Sequence, residues 1–338
     1  MKRSRAKRQG TKRGRAKRQG AKRSRAKHGR RPASLSGGSQ SGGGRRTVFL
    51  GTSDFAAAVL EQLAASPHRP LLVITRPNRP AGRGRRLSSP PVADAARELG
   101  IPLEQPDSVN DPEVKVRLAA VRADAVVVCA FGALIKEPLL SEHEILNLHP
   151  SLLPRWRGAA PIERAIMAGD PQTGVSIMRL TAGLDSGPIC LRATELIALE
   201  DTYGSLAPRL QWIGGELLIR ALEERPEFVQ QDEASVTYAE KIGPKDRLLD
   251  PARPAVELER VVRALHPHIG ARLVRADGSF MGVQHASVVT EGPPPGKLAG
   301  DGGRLLYGTA DGALELRTVQ PPGARPMDGA AYLRGHAC

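Results

Sequence analysis

The sequence predicts an α/β fold, a mostly parallel sheet with helices on both faces, followed by a smaller β-rich domain. Three observations carry that expectation. Between residues 47 and 225, short apolar runs such as TVFLG (47–51), LLVITR (71–76) and DAVVVCAFG (124–132) alternate with segments of helical periodicity. The runs are apolar at successive positions, which is how a strand covered on both faces reads. After about residue 225 the alternation stops, and Asp-Gly pairs at Asp277, Asp301 and Asp311 separate short runs, a hairpin signal.

Residues 1–46 stand apart. They repeat roughly every ten residues (KRSRAKRQGT, KRGRAKRQGA, KRSRAKHGRR) and end in a Gly/Ser stretch. Of the 50 Lys and Arg residues this tail holds 18, with no Asp or Glu, so the net charge of +15 belongs to it. The remainder has 32 basic against 35 acidic residues and is close to neutral. Self-repulsion and few apolar side chains predict disorder in the tail. An electrostatic arm for RNA and a merely solvated extension both fit; a transit peptide fits less well, because no amphipathic face is present.

Order is expected from Thr47. TVFLG is a buried strand, DFAAAVLEQLAA the helix after it and LLVITR a second strand. PNRPAGRGRRLSSPP is too rich in Pro, Gly and Arg to be regular and reads as a long loop. VADAARELG is helical, PLEQ a short strand and 111–121 another helix. DAVVVCAFG and EILNLH (144–149) are strands, PIERAIMAG a helix, GVSIMRL a strand and 202–224 a long helix. This alternation implies a Rossmann-like sheet. PEFVQQDEASVTYAEKIGPKD reads as a linker over the surface, ELERVVRALHP as a helix, and the rest as short strands of an OB-like barrel. The expected boundaries are a basic tail over 1–46, a first domain over 47–225, a linker over 226–245 and a second domain over 246–335.

Composition excludes several classes. No apolar run approaches the roughly 18 residues a membrane span needs, and the basic start has no apolar stretch behind it. Three widely spaced cysteines (Cys129, Cys190, Cys338) suit neither a disulfide framework nor zinc, so a cytoplasmic setting is expected. No His-Glu cluster has ligand spacing, so no metal is expected. The first strand-turn reads GTSDF and lacks the Gly pattern of a dinucleotide-binding turn, which argues against a nicotinamide oxidoreductase.

The informative stretch is ILNLHPSLLPRWRGAAP (145–161). Asn147 and His149 are two apart at a strand end and so point the same way, with Leu146 and Leu148 opposite. A turn cap plus a structural histidine would explain the pair as well as a substrate site does. Strand ends are where open α/β sheets bind ligands. Downstream, GLDSG (183–187) places Asp185 on a loop between glycines. It is a turn residue unless it meets His149 in space.

Asn-x-His followed by SLLP and then a distant Gly-Leu-Asp-x-Gly resembles the folate-dependent formyltransferase family. GTSDFA (51–56), RPNRPAGRGRRL (76–87), NLHPSLLPRWRGAAPIERAIMAGD (147–170), TGVSIMRLTAGLDSG (173–187), YAEKI (238–242) and VQPPGARPM (319–327) are similar to the branch that acts on initiator methionyl-tRNA. The likeness spans roughly 47–330. Two departures, Ser53 and Pro150 where that branch usually has Pro and often a small residue, leave the chemistry alone.

The resemblance implies acyl transfer from 10-formyltetrahydrofolate, as co-substrate, to the α-amino group of methionine on the tRNA, by a monomer without a metal. It implies that Asn147 and an N–H of His149 face the developing oxyanion and that Asp185 orients His149 or moves a proton. It implies folate contacts from Ser151, Leu152, Leu153 and Pro154, with Phe131 and Gly132 as walls, although Phe131 reads equally well as core. The loop 76–86 carries Arg76, Arg79, Arg83, Arg85 and Arg86 without an acidic residue. In such an interrupted, flexible finger, Arg79, Arg83, Arg85 and Arg86 are the expected tRNA contacts. The second domain, with 13 basic and 11 acidic residues over 240–338, is no strong electrostatic clamp. Two rivals remain: a formyltransferase for a small amine (purine precursor or amino sugar nucleotide), and a non-enzymatic RNA binder driven by the tail.

Overall fold

The computed structural model describes residues 43–81 and 86–336. Of the tail expected to be disordered over 1–46, residues 1–42 lie outside the described residues; at its end Arg45 is buried and pairs with Glu144 at 2.6 Å, and Arg46 pairs with Asp124 at 3.1 Å, so order begins before Thr47.

The first half alternates as the pattern predicts. Strand β1 (Thr47–Gly51) leads through an N-cap at Ser53 into α1 (Asp54–Ala64), and β2 (Pro70–Ile74) follows. The stretch expected to be irregular is partly ordered: β3 (Arg79–Ala81) and β4 (Arg86–Ser88) pair as a two-stranded antiparallel ribbon, Arg79 opposite Ser88. Pro80 is tolerated because a two-stranded ribbon is all edge, so the donor it lacks costs no interior ladder bond. Next come α2 (Pro91–Glu98), β5 (Leu103–Glu104), α3 (Pro112–Val121), β6 (Ala125–Cys129), α4 (Leu139–Glu142) and β7 (Ile145–His149). A two-residue strand β8 (Arg157–Gly158), α5 (Pro161–Ala168), β9 (Gln172–Arg179), β10 (Ile189–Leu196) and α6 (Tyr203–Glu224) complete the unit.

The strand order is β10-β9-β7-β6-β1-β2-β5. The pairs among β5, β2, β1, β6 and β7 are parallel; β9 and β10 close one edge antiparallel. Alternate residues serve opposite faces. Phe49, Val73, Val127, Leu146 and Leu148 pack with α1, α5 and α6, whereas Val48, Leu50, Ile74, Val128 and Ile145 pack with Val114 and Leu118 of α3 and Leu139 of α4. This is the doubly covered sheet that continuous apolar runs imply. Helix α6 starts at a capping box, in which Thr202 and Ser205 exchange side-chain and backbone bonds. It lies close under β7: a Cβ at Gly214 would come within 3.0 Å of Leu148 Cδ1. A bulkier residue there would push the helix off the strand that carries Asn147 and His149.

Beyond α6 the chain passes a 3-10 turn (Glu233–Ser235) and strand β11 (Tyr238–Ala239), which pairs parallel with β8. Helix α7 (Ala255–Leu265) then packs on an antiparallel sheet of β12 (Ala271–Val274), β13 (Phe280–Val289), β14 (Leu298–Asp301), β15 (Arg304–Gly308) and β16 (Ala313–Gln320), ordered β12-β13-β16-β15-β14. The Asp-Gly pairs at 277, 301 and 311 lie in the turns joining β12 to β13, β14 to β15 and β15 to β16. Among the described residues no ladder joins β12 to β14, so the sheet is open along that line. Strand β17 (Met327–Asp328) adds to β16, and α8 (Gly329–Gly335) buries Tyr332 in the second core.

The two cores are bolted together. Met167 of α5 packs against both. Around it, Arg164 pairs with Asp246 at 2.8 Å, Glu163 with His268 at 2.9 Å, and Arg263 donates to the Asp201 carbonyl at 2.8 Å. Among the described residues no helix is long and apolar enough to cross a membrane.

Candidate active site

Strand β7 presents Asn147 and His149 on the α3 side of the sheet, both nearly buried at 7% and 5% exposure. The loop after β9 begins beside β7, where the Leu180 N–H donates to the Ile145 carbonyl at 2.9 Å. It then carries Asp185 across the strand. Asn147 Nδ2 donates to Asp185 Oδ1 at 3.4 Å, and His149 Nδ1 lies 3.6 Å from Asp185 Oδ2. The three polar residues singled out from the sequence therefore meet, although 38 positions separate Asn147 from Asp185.

The second ring nitrogen decides the tautomer. His149 Nε2 is 2.8 Å from the Trp156 carbonyl oxygen. A carbonyl only accepts, so Nε2 carries the hydrogen and, in the neutral ring, Nδ1 holds the free lone pair. The neutral ring therefore directs no N–H toward Asn147 and Asp185, and the expected His149 N–H at the oxyanion would require the protonated ring. The carbonyl is aimed by the PRW segment. Trp156 has a left-handed backbone, φ 65°. It is held there because Arg155 and the Trp156 indole N–H all converge on the Asp170 carboxylate at 2.6–2.8 Å.

Asp185 is also left-handed, φ 44°, and its side chain is 15% exposed. Its Oδ2 accepts the Gly158 N–H at 2.9 Å, and its own carbonyl accepts from Gln231 Nε2 at 2.8 Å. Neither Gly158 nor Gln231 is singled out by sequence reasoning. The only signals were the Arg-Gly pair inside PRWRGAAP and a glutamine in an apparent linker, and a two-residue pairing such as β8 with β11 has no periodicity to detect.

The SLLP segment divides by burial. Ser151 is fully buried, donating to the Arg155 carbonyl at 2.7 Å, and its own carbonyl accepts from Ser176 Oγ at 2.7 Å. Leu153 is fully buried against Met178 and Ile189, its N–H on Ser176 Oγ at 3.1 Å. These two side chains hold the loop, while Leu152 and Pro154 are half-buried and open to a partner. Phe131 packs its ring into the α3-side core, and its carbonyl accepts from Thr52 Oγ1 at 2.8 Å. Gly132 offers backbone, its carbonyl bound by Arg76 at 3.1 Å. Two large apolar side chains that the sequence did not flag stand in solvent on the flanking loops: Leu134 at 64% and Leu184 at 61% exposure.

Arg79 is exposed on β3. Arg83 and Arg85 lie outside the described residues, as does the side chain of Arg86 on β4. Burial lifts the Cys129 thiol far above its ordinary range, and burial, aided by the Glu144 charge and opposed by backbone hydrogen bonds and Arg179, lifts Cys190 to about 11, so neither supplies a thiolate at neutral pH.

Comparison with known proteins bears on this arrangement. A family model described as formyl transferase matches residues 45–222, and its C-terminal-domain counterpart matches 241–337. The chain belongs to the formyl transferase family. This formyl transferase is 42% identical over 300 residues to the methionyl-tRNA formyltransferase of Methylococcus capsulatus, across 86% of this chain and 97% of that protein. It is 42% identical over 290 residues to that of Ectopseudomonas mendocina, across 83% and 92%. Among solved structures, HypX from Aquifex aeolicus in complex with tetrahydrofolic acid shares the fold at TM-score 0.59 and 18% identity, covering 86% of this chain but 47% of that longer one. An N-formyltransferase from Helicobacter canadensis, in complex with folinic acid and dTDP-3-aminofucose, does so at TM-score 0.59 and 14% identity, covering 84% and 100%.

Proposed function

We propose that this formyl transferase moves the formyl group of 10-formyltetrahydrofolate to the α-amino group of methionine on initiator methionyl-tRNA, acting as a monomer in the cytoplasm. The observation that carries the chemistry is the meeting of Asn147, His149 and Asp185 over one strand. The choice of acceptor is supported by near-complete alignment with methionyl-tRNA formyltransferases through both domains. The monomer is supported by one chain supplying all three groups.

The donor set fits the folate. The half-buried Leu152 and exposed Leu134 and Leu184 offer apolar surface for a flat ring, and Gly132 and Pro154 offer backbone beside it. When bound, the folate supplies an activated formyl carbon. His149 Nδ1 takes the proton that the attacking amine must lose and returns one to the leaving nitrogen. Asp185 stabilises the charged ring between those events. Asn147 directs the amide hydrogen not used on Asp185 toward the negative charge growing on the formyl oxygen. Asn147, His149 and Asp185 are accordingly the proposed catalytic residues. Ser151, Leu152, Leu153, Pro154, Phe131 and Gly132 are the proposed folate cradle, with Ser151, Leu153 and Phe131 acting mainly through the backbone they fix. Arg79, Arg83, Arg85 and Arg86 are the proposed tRNA contacts.

A formylation assay offering charged initiator tRNA beside a purine precursor and an amino sugar nucleotide tests the reading. Transfer to the tRNA supports it. Transfer to a small amine alone overturns the choice of acceptor and leaves the chemistry in place.

A further inference from the structure

The segment between the two cores is built into the back of the site. Asp185 needs outside support, because a residue with a Cβ held at φ 44° is strained and an exposed turn alone would relax it. Gln231 provides that support from 46 positions away: Nε2 donates to the Asp185 carbonyl at 2.8 Å and to the Gly187 carbonyl at 2.7 Å. One amide nitrogen therefore staples both ends of the turn.

The amide is itself oriented. Its Oε1 accepts from Arg157 Nε at 3.0 Å and Nη2 at 2.9 Å. A guanidinium can only donate, so the oxygen must face Arg157 and the nitrogen must face the loop. Arg157 is 3% exposed, and Glu233 neutralises it through bonds of 2.7 and 3.2 Å. The next residue, Gly158, donates its N–H to Asp185 Oδ2 at 2.9 Å. Pairing of β8 with β11 fixes that N–H: the Ala159 N–H bonds the Ala239 carbonyl at 2.8 Å, and the Arg157 N–H bonds the Thr237 carbonyl at 2.9 Å.

We propose that Gln231 and Arg157 are positioning residues that hold the Asp185 carboxylate against His149, making the interdomain segment a working part of the catalytic centre. The proposal rests on the reading of Asn147, His149 and Asp185 given above. The network of buried Arg157, half-buried Gln231 and exposed Glu233 could instead serve the fold alone, and the two roles separate by experiment. Gln231→Glu keeps the acceptor for Arg157 and nearly the same volume, while removing both donors to the loop.

The full-length enzyme and its Gln231→Glu, Arg157→Lys and Asp185→Asn variants are compared for melting temperature, for kcat and KM across pH, and for the 15N shift of the His149 ring. The expected result for Gln231→Glu is a kcat lowered about ten- to hundredfold, as misplacement of a catalytic group costs. KM changes by less than roughly threefold, the mark of an interaction lost in the transition state. The acidic limb of kcat and the His149 15N titration move together. Arg157→Lys follows in the same direction with a smaller loss. Unchanged kcat and titration in a folded Gln231→Glu protein overturn the proposal, as does a kcat loss with the limb unmoved. If Gln231→Glu does not fold, Gln231→Met removes the donors without adding charge; failure of both to fold, with Asp185→Asn folded, assigns the network to stability and also overturns it. A folded Asp185→Asn enzyme with the parent's rate sinks the underlying reading instead.

Discussion

Replacing Asp185 by Asn changes shape little and removes one charge, so its consequence follows from geometry. The carboxylate oxygen lies 3.6 Å from His149 Nδ1, with side chains only 15% and 6% exposed. At an effective dielectric near 20, the Coulomb attraction at that separation is roughly 4–5 kcal/mol, an upper bound because desolvation of the pair opposes it. At about 1.4 kcal/mol per tenfold, the chemical step slows by at most about three powers of ten. The amide also brings two hydrogens where both carboxylate oxygens accept, from the Gly158 N–H and from Asn147 Nδ2, so one donor is left facing another. That mismatch costs about 1–3 kcal/mol of stability and lowers the melting temperature. The assay is single-turnover formyl transfer to charged initiator tRNA at saturating enzyme, with folate and tRNA binding measured separately. A folded variant that binds both and reacts within tenfold of the parent would refute the charge-pair argument.

Further outcomes follow from the same geometry. With Asn147 as the proposed oxyanion donor, Asn147→Ala is expected to lower kcat by about 10²–10³-fold with tRNA affinity unchanged, read by single-turnover kinetics and filter binding. Gly158→Ala meets the Ala239 carbonyl at 2.8 Å with the backbone at φ 120°, so a loss of about 1–3 kcal/mol in denaturant titration is expected, together with slower transfer. The Arg209 guanidinium, with Ser205 and the Ala198 N–H, holds the Asp201 carboxyl well below the usual range against the opposing effect of burial. A depressed folded-state value means this pair stabilises above the ordinary 3.8 and is lost as pH falls through the folded value. Asp201→Asn should therefore lower the melting temperature at neutral pH and flatten the acid limb of stability below about 4, by calorimetry. Deleting residues 1–42, which spares the Arg45–Glu144 and Arg46–Asp124 pairs, should leave the single-turnover rate unchanged; loss of transfer in a folded truncation would favour the tail-driven RNA binder.

The site was legible in unequal parts. Asn147 and His149 could be paired from the sequence because strand geometry puts residues two apart on one face, and Leu146 and Leu148 do face α6 as that alternation requires. Asp185 could only be nominated, since a Gly-flanked aspartate is first of all a turn residue. Composition predicts an irregular arginine-rich loop, yet its flanks pair, because edge strands tolerate residues that interior strands do not. Gln231 escaped notice altogether: a polar residue in a linker carries no pattern.

By itself, the sequence determined the doubly covered sheet, the hairpins at three Asp-Gly turns and the residue types able to carry acyl transfer. These are local properties, written in hydrophobic period and turn chemistry over a few neighbouring positions. Only the tertiary structure decided that Asp185 crosses β7 to reach His149, that the Trp156 carbonyl takes the Nε2 hydrogen and turns Nδ1 toward Asp185, and that Gln231 and Arg157 brace the loop from behind. Each of those depends on loops closing across the sheet between segments far apart in the chain, and contacts of that kind leave no trace in the spacing of nearby residues.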